Sequence, residues 1–401
     1  MSPRNDPVEP ILEDRVDVAR KVASGGYKWT PQAPEVIPAF VAEHDLGPLP
    51  AMQEAVREVV DLGGFGYHLG VEALAEAFCG WWSRRHGWDA DPTLVAPNAS
   101  VLQGVWACVE AFTEPGEAVV LPTPIYFPFH DIPPTTGRRI ADWPLVRDVE
   151  GWHHDLDELE RLLANDPGIR LLLLCHPHNP TGKVLTAPEL TRIAELAAEH
   201  DVVVASDEIH ADFTYSRDGD PTQHVPMATI PGAAPLTVTL TSGIKTFAMG
   251  GLKASVAAFA DERLHARFST VPENLLGGQN RLGNAAAVAG WIHGDAWVDQ
   301  LVALFDRHRH HLVDRLAAEA PDVRVHLPES TFLAWLDLSA CDPGDRPDLW
   351  LRDRTNVLGK DGNLFGAAGA GHVRLTFGTS TTMLDEIIDR LVAGLRPGGR
   401  R

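Results

Sequence analysis

IRLLLLCHPHNPTGKVLTAPELTRIAELAAEHDVVVASD, residues 169–207, reads as strand, loop, helix and strand in succession. Residues 169–175 and 202–206 are apolar runs with no polar alternation, the pattern of strands whose sheet is covered on both faces. Between them Leu190, Ile193, Ala194 and Ala197 recur on one helical stripe. Thr186 and Glu189, with Pro188 between them, have the spacing of a capping box at a helix start. Strand, helix and strand in this order make a βαβ unit, whose two strands run parallel.

The same alternation extends outward. Residues 118–121, 236–241 and 255–260 are further short apolar runs, and 50–62 and 71–85 carry helical periodicity. The expected fold class is α/β, a three-layer arrangement with a mostly parallel sheet between helices. From Asp295 the pattern changes. Helical segments at 296–318, 348–354 and 383–395 flank strand-like runs at 331–336 and 372–377, an α+β module. Residues 1–45 are rich in proline, with a Gly25-Gly26 pair, and carry apolar marks at Tyr27, Trp29, Ile37 and Phe40. They read as an arm that packs onto the rest. The expected organisation is an arm over 1–45 joining the smaller unit, a large domain over 46–291 and a small domain over 292–401.

Charge and cysteine usage narrow the function classes. The 401 residues carry a formal net charge of −21, which repels phosphate backbones and anionic membrane surfaces. No apolar run approaches the roughly 20 residues of a membrane helix, and the start shows no secretory pattern. Cys79, Cys108, Cys175 and Cys341 lie far apart without CxxC pairs, so neither a disulfide framework nor a metal site is expected, and a reducing cytoplasm is the natural compartment. His308, His310 and His311 read as a solvated helix face. Thr181-Gly182-Lys183 is too short for a phosphate loop, and Gly366, Gly369 and Gly371 precede a strand rather than open a helix.

Ligands of open α/β sheets bind beyond the carboxyl ends of the strands. The loops there hold Asn179, Asp207 and Lys245: an amide, a carboxylate and an amine. Pyridoxal phosphate needs a lysine for its Schiff base and an acid that keeps its pyridine nitrogen protonated. Each residue also has an ordinary reading. An aspartate after a strand often caps a helix, Arg374 on a strand can pair with any acid, and Tyr67 and Tyr126 can be core aromatics.

HNPTGK (178–183), SDEIHADF (206–213) and SGIKTFAMGGLK (242–253) resemble the three signatures of fold-type I pyridoxal-phosphate enzymes, the aminotransferase class I/II superfamily. KW (28–29), FGYHLG (65–70), AFTEPGEAVVLPTPIYFPF (111–129) and FGAAGAGHVRL (365–375) follow in the family's order. His210 in SDEIHAD and the two histidines of HPHNPTGK resemble the MalY/PatB group of cystathionine β-lyase-like carbon–sulfur lyases. The resemblance implies an aspartate-aminotransferase-like fold with pyridoxal 5'-phosphate on Lys245 and Asp207 at the pyridinium. It places Asn179 and His210 near the ring, and Tyr126 stacked on it. Ser100, Val101, Leu102, Ser242 and Lys253 hold the phosphate, joined by Tyr67 reaching into a partner's site of a homodimer. Arg374 grips the substrate α-carboxylate, helped by Asn179 and Trp29. The implied reaction is β-elimination from a cysteine S-conjugate; transamination, a decarboxylating or oxidative variant and a regulatory partner protein are the alternatives. Trp29, residues 43–45 and Trp143 are the expected readers of the substrate's distal part. Three positions depart from the family pattern: Ser100 for glycine, Ile244 for a small hydroxyl residue and Ala248 for asparagine.

Overall fold

Thr186 and Glu189 form the expected capping box. The Thr186 hydroxyl accepts from the Glu189 N–H at 3.4 Å, and the Glu189 carboxylate accepts from the Thr186 N–H at 2.7 Å. The computed structural model describes residues 12–66, 71–149, 151–215, 223–278 and 280–396. Its main sheet has seven strands: β1 (Val95–Asn98), β2 (Ala118–Thr123), β3 (Arg139–Pro144), β4 (Ile169–Cys175), β5 (Val203–Asp207), β6 (Thr237–Thr241) and β7 (Ser255–Phe259), in the order β1-β7-β6-β5-β4-β2-β3. The pairs β3·β2, β2·β4, β4·β5 and β5·β6 are parallel, whereas β7 runs antiparallel to both of its neighbours.

Helices α1 (Pro50–Asp61) and α2 (Glu72–His86) lead into the sheet. Helix α3 (Val101–Phe112) covers one face, and α4 (Leu156–Asn165) and α5 (Ala187–Glu199) cover the other. Helix α6 (Arg281–His293) packs back on α1 and α2. The unbroken apolar run of β4 follows from this layering. Leu171, Leu173 and Cys175 enter the core under α3, whereas Leu172 and Leu174 enter the core under α5. Successive side chains point to opposite faces, so a strand covered on both sides must be apolar at every position.

Strands β1 and β3 escaped the sequence reading because they are the two edges. Strand β3 exposes Arg139, Asp142 and Pro144, and β1 contains Pro97 and Asn98. Charged side chains and proline are what an edge strand tolerates and a central one does not.

The second sheet is antiparallel throughout: β8 (Arg324–Val325), β9 (Leu333–Asp337), β10 (Lys360–Asp361) and β11 (His372–Thr376), ordered β8-β9-β11-β10. Helices α7 (Asp295–Glu319), α8 (Pro347–Thr355) and α9 (Thr381–Leu395) pack around it. The arm joins this region, with Ile37–Pro38 pairing in parallel with Val357–Leu358. Trp29, Ile37, Ala39 and Ala42 sink into the same core as Phe332 and Phe377.

One expectation is corrected here. His308 lies on the buried stripe of α7 with Leu301, Phe305 and Leu312, not on a solvated face. Its ring nitrogens meet the Phe377 carbonyl at 3.3 Å and the Thr381 hydroxyl at 3.2 Å, which satisfies both polar atoms without water. Its spacing from Leu301 and Phe305 is helical, a signal outweighed by the neighbouring Arg307, Arg309 and His310.

Thr186→Ala removes the cap and is expected to lower unfolding free energy by about 1 kcal/mol in denaturant titration, with Thr186→Ser retaining it.

Candidate active site

Registers across the sheet bring the strand ends to one rim. Cys175 lies opposite Asp207, Asp207 opposite Leu240, and Asn98 opposite Ser255. The residues just beyond these ends therefore share one side of the sheet: Asn179, Asp207, Ser242 to Lys245, Lys253 and Ser100. Tyr126 follows β2 on the same side.

Asp207 is 6% exposed, and its carboxylate accepts from the Ile209 N–H at 3.2 Å. Burial pushes its pKa up to about 7, against the pull of that N–H and of Lys245. Lys245 responds in the opposite sense. Burial, and then the charge of Arg374, lower its pKa to about 8, with Glu43 and Asp207 opposing. Its Nζ donates to the Ala42 carbonyl at 2.6 Å. Each group thus disfavours its own charged form in a site that water hardly reaches. A cation facing Asp207 would restore the carboxylate.

Arg374 lies on β11 and is 2% exposed. Its Nη1 donates to Asn179 Oδ1 at 2.9 Å and its Nη2 to the Phe40 carbonyl at 3.0 Å, while Nε has no acceptor. Burial lowers its pKa to about 10. The guanidinium sits 5.1 Å over the Phe365 ring. Tyr126 is half-buried, and its phenol is raised above the usual range by burial first; Arg374 and Asp207 both act on it. His210 is buried with both ring nitrogens unpaired. Desolvation, and then Lys245 and Arg374, hold its pKa well below the usual imidazole value. Five of the expected residues, Lys245, Asp207, Arg374, Tyr126 and His210, therefore stand in one another's electrostatic field.

The start of α3 lies at the same rim of the sheet. Ser100 caps α3, its hydroxyl accepting from the Gln103 N–H at 3.3 Å. The N–H groups of Val101 and Leu102 open the helix, where no intrahelical acceptor exists and the helix dipole is positive. The Ser242 hydroxyl accepts from the Ile244 N–H at 3.1 Å and donates to the Ala254 carbonyl, tying the lysine loop to the residue after Lys253. Lys253 itself is exposed, with φ +53°.

Other expectations fare differently. Tyr67 lies outside the described residues. Trp29 is buried, and its indole N–H is taken by Asp45 at 2.8 Å, beside the Lys28–Asp45 ion pair at 2.8 Å. Trp143 is a correction: it is fully buried under α4 and α5 and donates to the Asp155 carbonyl at 2.7 Å, so it reads no substrate.

Residues 40–42 of the arm were missed as part of the site, and residues 43–45 were expected only at the substrate's distal end. Carbonyls of Phe40 and Ala42 accept from Arg374 and Lys245, and His44 Nε2 lies 3.2 Å from the Thr246 carbonyl. Asp212 grips the same residue from the other side, accepting from the Thr246 hydroxyl at 2.6 Å. Carbonyl contacts leave no mark in residue identity, so no motif could announce them.

One departure from the family pattern acquires a reason and another stands in a strained conformation. Ser100 has φ −159°, extended backbone that needs no glycine. Ala248 has φ +50°, the left-handed region that asparagine enters more readily than alanine.

The donor set suits pyridoxal phosphate: a deprotonatable amine and a buried carboxylate on one rim, a helix N-terminus for a phosphate, and an arginine with a spare donor. Comparison with known proteins agrees. The model of the family described as aminotransferase class I and II matches residues 41–391. The chain belongs to this family. It is 34% identical to cystathionine beta-lyase PatB of Bacillus subtilis, over 90% of this chain and 93% of that one. It is 29% identical to protein MalY of Escherichia coli, over 90% and 92%. The structure of cystalysin from Treponema denticola, which contains pyridoxal 5'-phosphate, aligns with a TM-score of 0.88 at 26% identity, covering 95% of this chain and 98% of that one. The protein is therefore a PatB/MalY-type member with a fold-type I architecture, and pyridoxal phosphate is its cofactor.

Two outcomes follow. In cofactor-free protein, acylation of Lys245 followed by mass spectrometry is expected to reach half its limiting rate near pH 8, where exposed lysines react only at higher pH. Ala248→Asn is expected to raise unfolding free energy by about 1 kcal/mol by relieving left-handed strain, read in denaturant titration.

Proposed function

We propose that the protein is a pyridoxal-phosphate-dependent carbon–sulfur β-lyase that cleaves a cysteine S-conjugate or cystathionine-like amino acid to a thiol, pyruvate and ammonia. The observation that carries this reading is the placement of Lys245, whose pKa desolvation lowers to about 8 so that more of its amine is neutral, beside a buried Asp207 on the adjoining strand end. When bound, the cofactor supplies an electron sink for the carbanion at the substrate's α-carbon. Asp207 would pair with the ring nitrogen and keep it protonated. Asn179 would donate to the ring oxygen, and Tyr126 would pack on the ring. The first turn of α3, with Ser242 and Lys253, would hold the phosphate.

Arg374 takes the α-carboxylate in its planar fork and so fixes the orientation of the Cα substituents. The neutral Lys245 amine removes the α-proton as general base. The C–S bond then breaks, the thiolate leaves with its electron pair, and the remaining enamine hydrolyses to pyruvate and ammonia. His210, neutral in this field, adds no competing charge beside Lys245 and Arg374.

The same reading carries three coarser proposals. The working unit is a homodimer, supported by the apolar groove at Met52, Val56, Met249 and Leu252 beside the lysine loop. The arm (1–45), large domain (46–291) and small domain (292–401) are supported by the seven-stranded and four-stranded sheets, which lie in separate stretches of the chain. A cytoplasmic location is supported by four free cysteines; no helix of the described residues is long and apolar enough to cross a membrane.

Purified protein given cystathionine or an S-alkylcysteine is expected to release thiol and pyruvate in equal amounts. Keto-acid exchange without thiol would mean an aminotransferase. Lys245→Ala is expected to lose kcat by at least about a hundredfold together with the absorption band of covalently held cofactor. Arg374→Lys is expected to raise KM by roughly tenfold or more, since an ammonium cannot replace the bidentate fork.

A further inference from the structure

Three side chains with donors to spare stand in one row across the second sheet. Trp335 on β9, Arg374 on β11 and Lys360 on β10 are direct cross-strand partners, Trp335↔Arg374 and Lys360↔Arg374. Directly paired residues share a face of the sheet. Their ring contacts agree with that placement. Trp335 packs on Phe365 at 5.2 Å, Arg374 lies 5.1 Å over Phe365, and Phe365 meets Phe127 at 5.8 Å. Lys360 Nζ lies 4.5 Å over the Phe127 ring. Phe127 directly follows Tyr126, whose ring it touches at 5.2 Å.

Each of the three keeps a donor without an acceptor among the described residues, although Arg374 spends Nη1 on Asn179 and Nη2 on the Phe40 carbonyl. Among the described residues, buried Trp335 Nε1 and Arg374 Nε have no acceptor. Lys360 is half-buried and makes no ion pair or hydrogen bond among the described residues. The two acids nearest to it in charge, Asp348 and Asp361, are both engaged by Arg346, at 2.8 Å and 3.4 Å. A buried N–H without an acceptor is uncommon and asks for an explanation. Two of them beside a half-buried, unneutralised ammonium form a surface that is complete only with an acceptor-rich, negatively charged ligand.

We propose that Lys360 is a specificity-determining residue that reads an anionic group, such as a carboxylate or sulfonate, at the distal end of the substrate. Arg374 holds the α-carboxylate over Phe365, and Lys360 holds the second anion over the neighbouring Phe127. The paired rings keep the two cations apart and exclude water between them. The substrate class is thereby narrowed to S-conjugates carrying a second acidic group. This inference rests on the reading of Arg374 as the α-carboxylate clamp.

The test compares S-carboxymethylcysteine with S-methylcysteine. Holoenzyme with Lys360→Met is expected to lose about tenfold in the ratio of kcat/KM for the acidic over the neutral conjugate, the usual scale of one charge-assisted hydrogen bond. Lys360→Arg is expected to recover most of that ratio, and Lys360→Glu to turn preference toward the cationic S-aminoethylcysteine. A ratio within twofold of wild type in Lys360→Met, or no reversal in a folded Lys360→Glu, overturns the proposal. Should wild type release thiol from neither conjugate, the lyase reading falls. The same ratio, read as dissociation constants by calorimetry on wild type and Lys360→Met, still decides Lys360.

Discussion

A half-buried lysine amine and a buried aspartate carboxylate stand at adjoining strand ends, each in surroundings that disfavour its charged form. Burial raises Asp207 to about 7 and lowers Lys245 to about 8, so each is poised to change protonation state in the range where a cell works. Charged groups are held in low dielectric only when surroundings compensate them. Here compensation is partial: the Ile209 N–H and Lys245 act for Asp207, and the charges of Glu43 in the arm and of Asp207 act for Lys245. Both the sheet and the arm must therefore be in place before either group has its working pKa.

The parallel sheet is what makes that juxtaposition possible. Strands β4, β5 and β6 run side by side in one direction, so their loops emerge at one rim although helix α5 and a long loop separate them in sequence. The apolar strands that make the sheet buildable are also what desolvates the rim. Leu172, Leu174 and Val204 exclude water on one side, and Leu173, Ala205 and Leu240 on the other. Stability and reactivity thus come from the same packing.

Arg374 couples the second sheet to the first. Its bond to Asn179 joins β11 to the loop after β4, and its bond to Phe40 draws in the arm. Three segments far apart in sequence converge on one guanidinium, whose fork can serve several acceptors at fixed angles where an ammonium cannot. A substrate carboxylate would exchange with these partners rather than enter a preformed empty slot. The Nε donor that remains unpaired shows that the present partners do not exhaust it.

The sequence by itself determined the βαβ core, the capping box and the three motif loops, because strand and helix periodicities and strand-end position are local properties of the chain. It also determined which residue types carry the chemistry, since an amine, an acid and a bidentate cation can be recognised one residue at a time. Only the tertiary structure decided the rest. The edge strands β1 and β3, too polar to read as strands, exist because a neighbour pairs with them. His308 is buried because two carbonyl and hydroxyl partners from α9 and its preceding loop meet its ring. Trp143 proved a core residue because β3 lies under α4. The carbonyls of residues 40 and 42 are backbone atoms common to every residue and meet side chains 334 and 203 positions away, and the row of Trp335, Arg374 and Lys360 depends on the register of three strands. Such relations are set by packing in three dimensions, and no spacing along the chain encodes them.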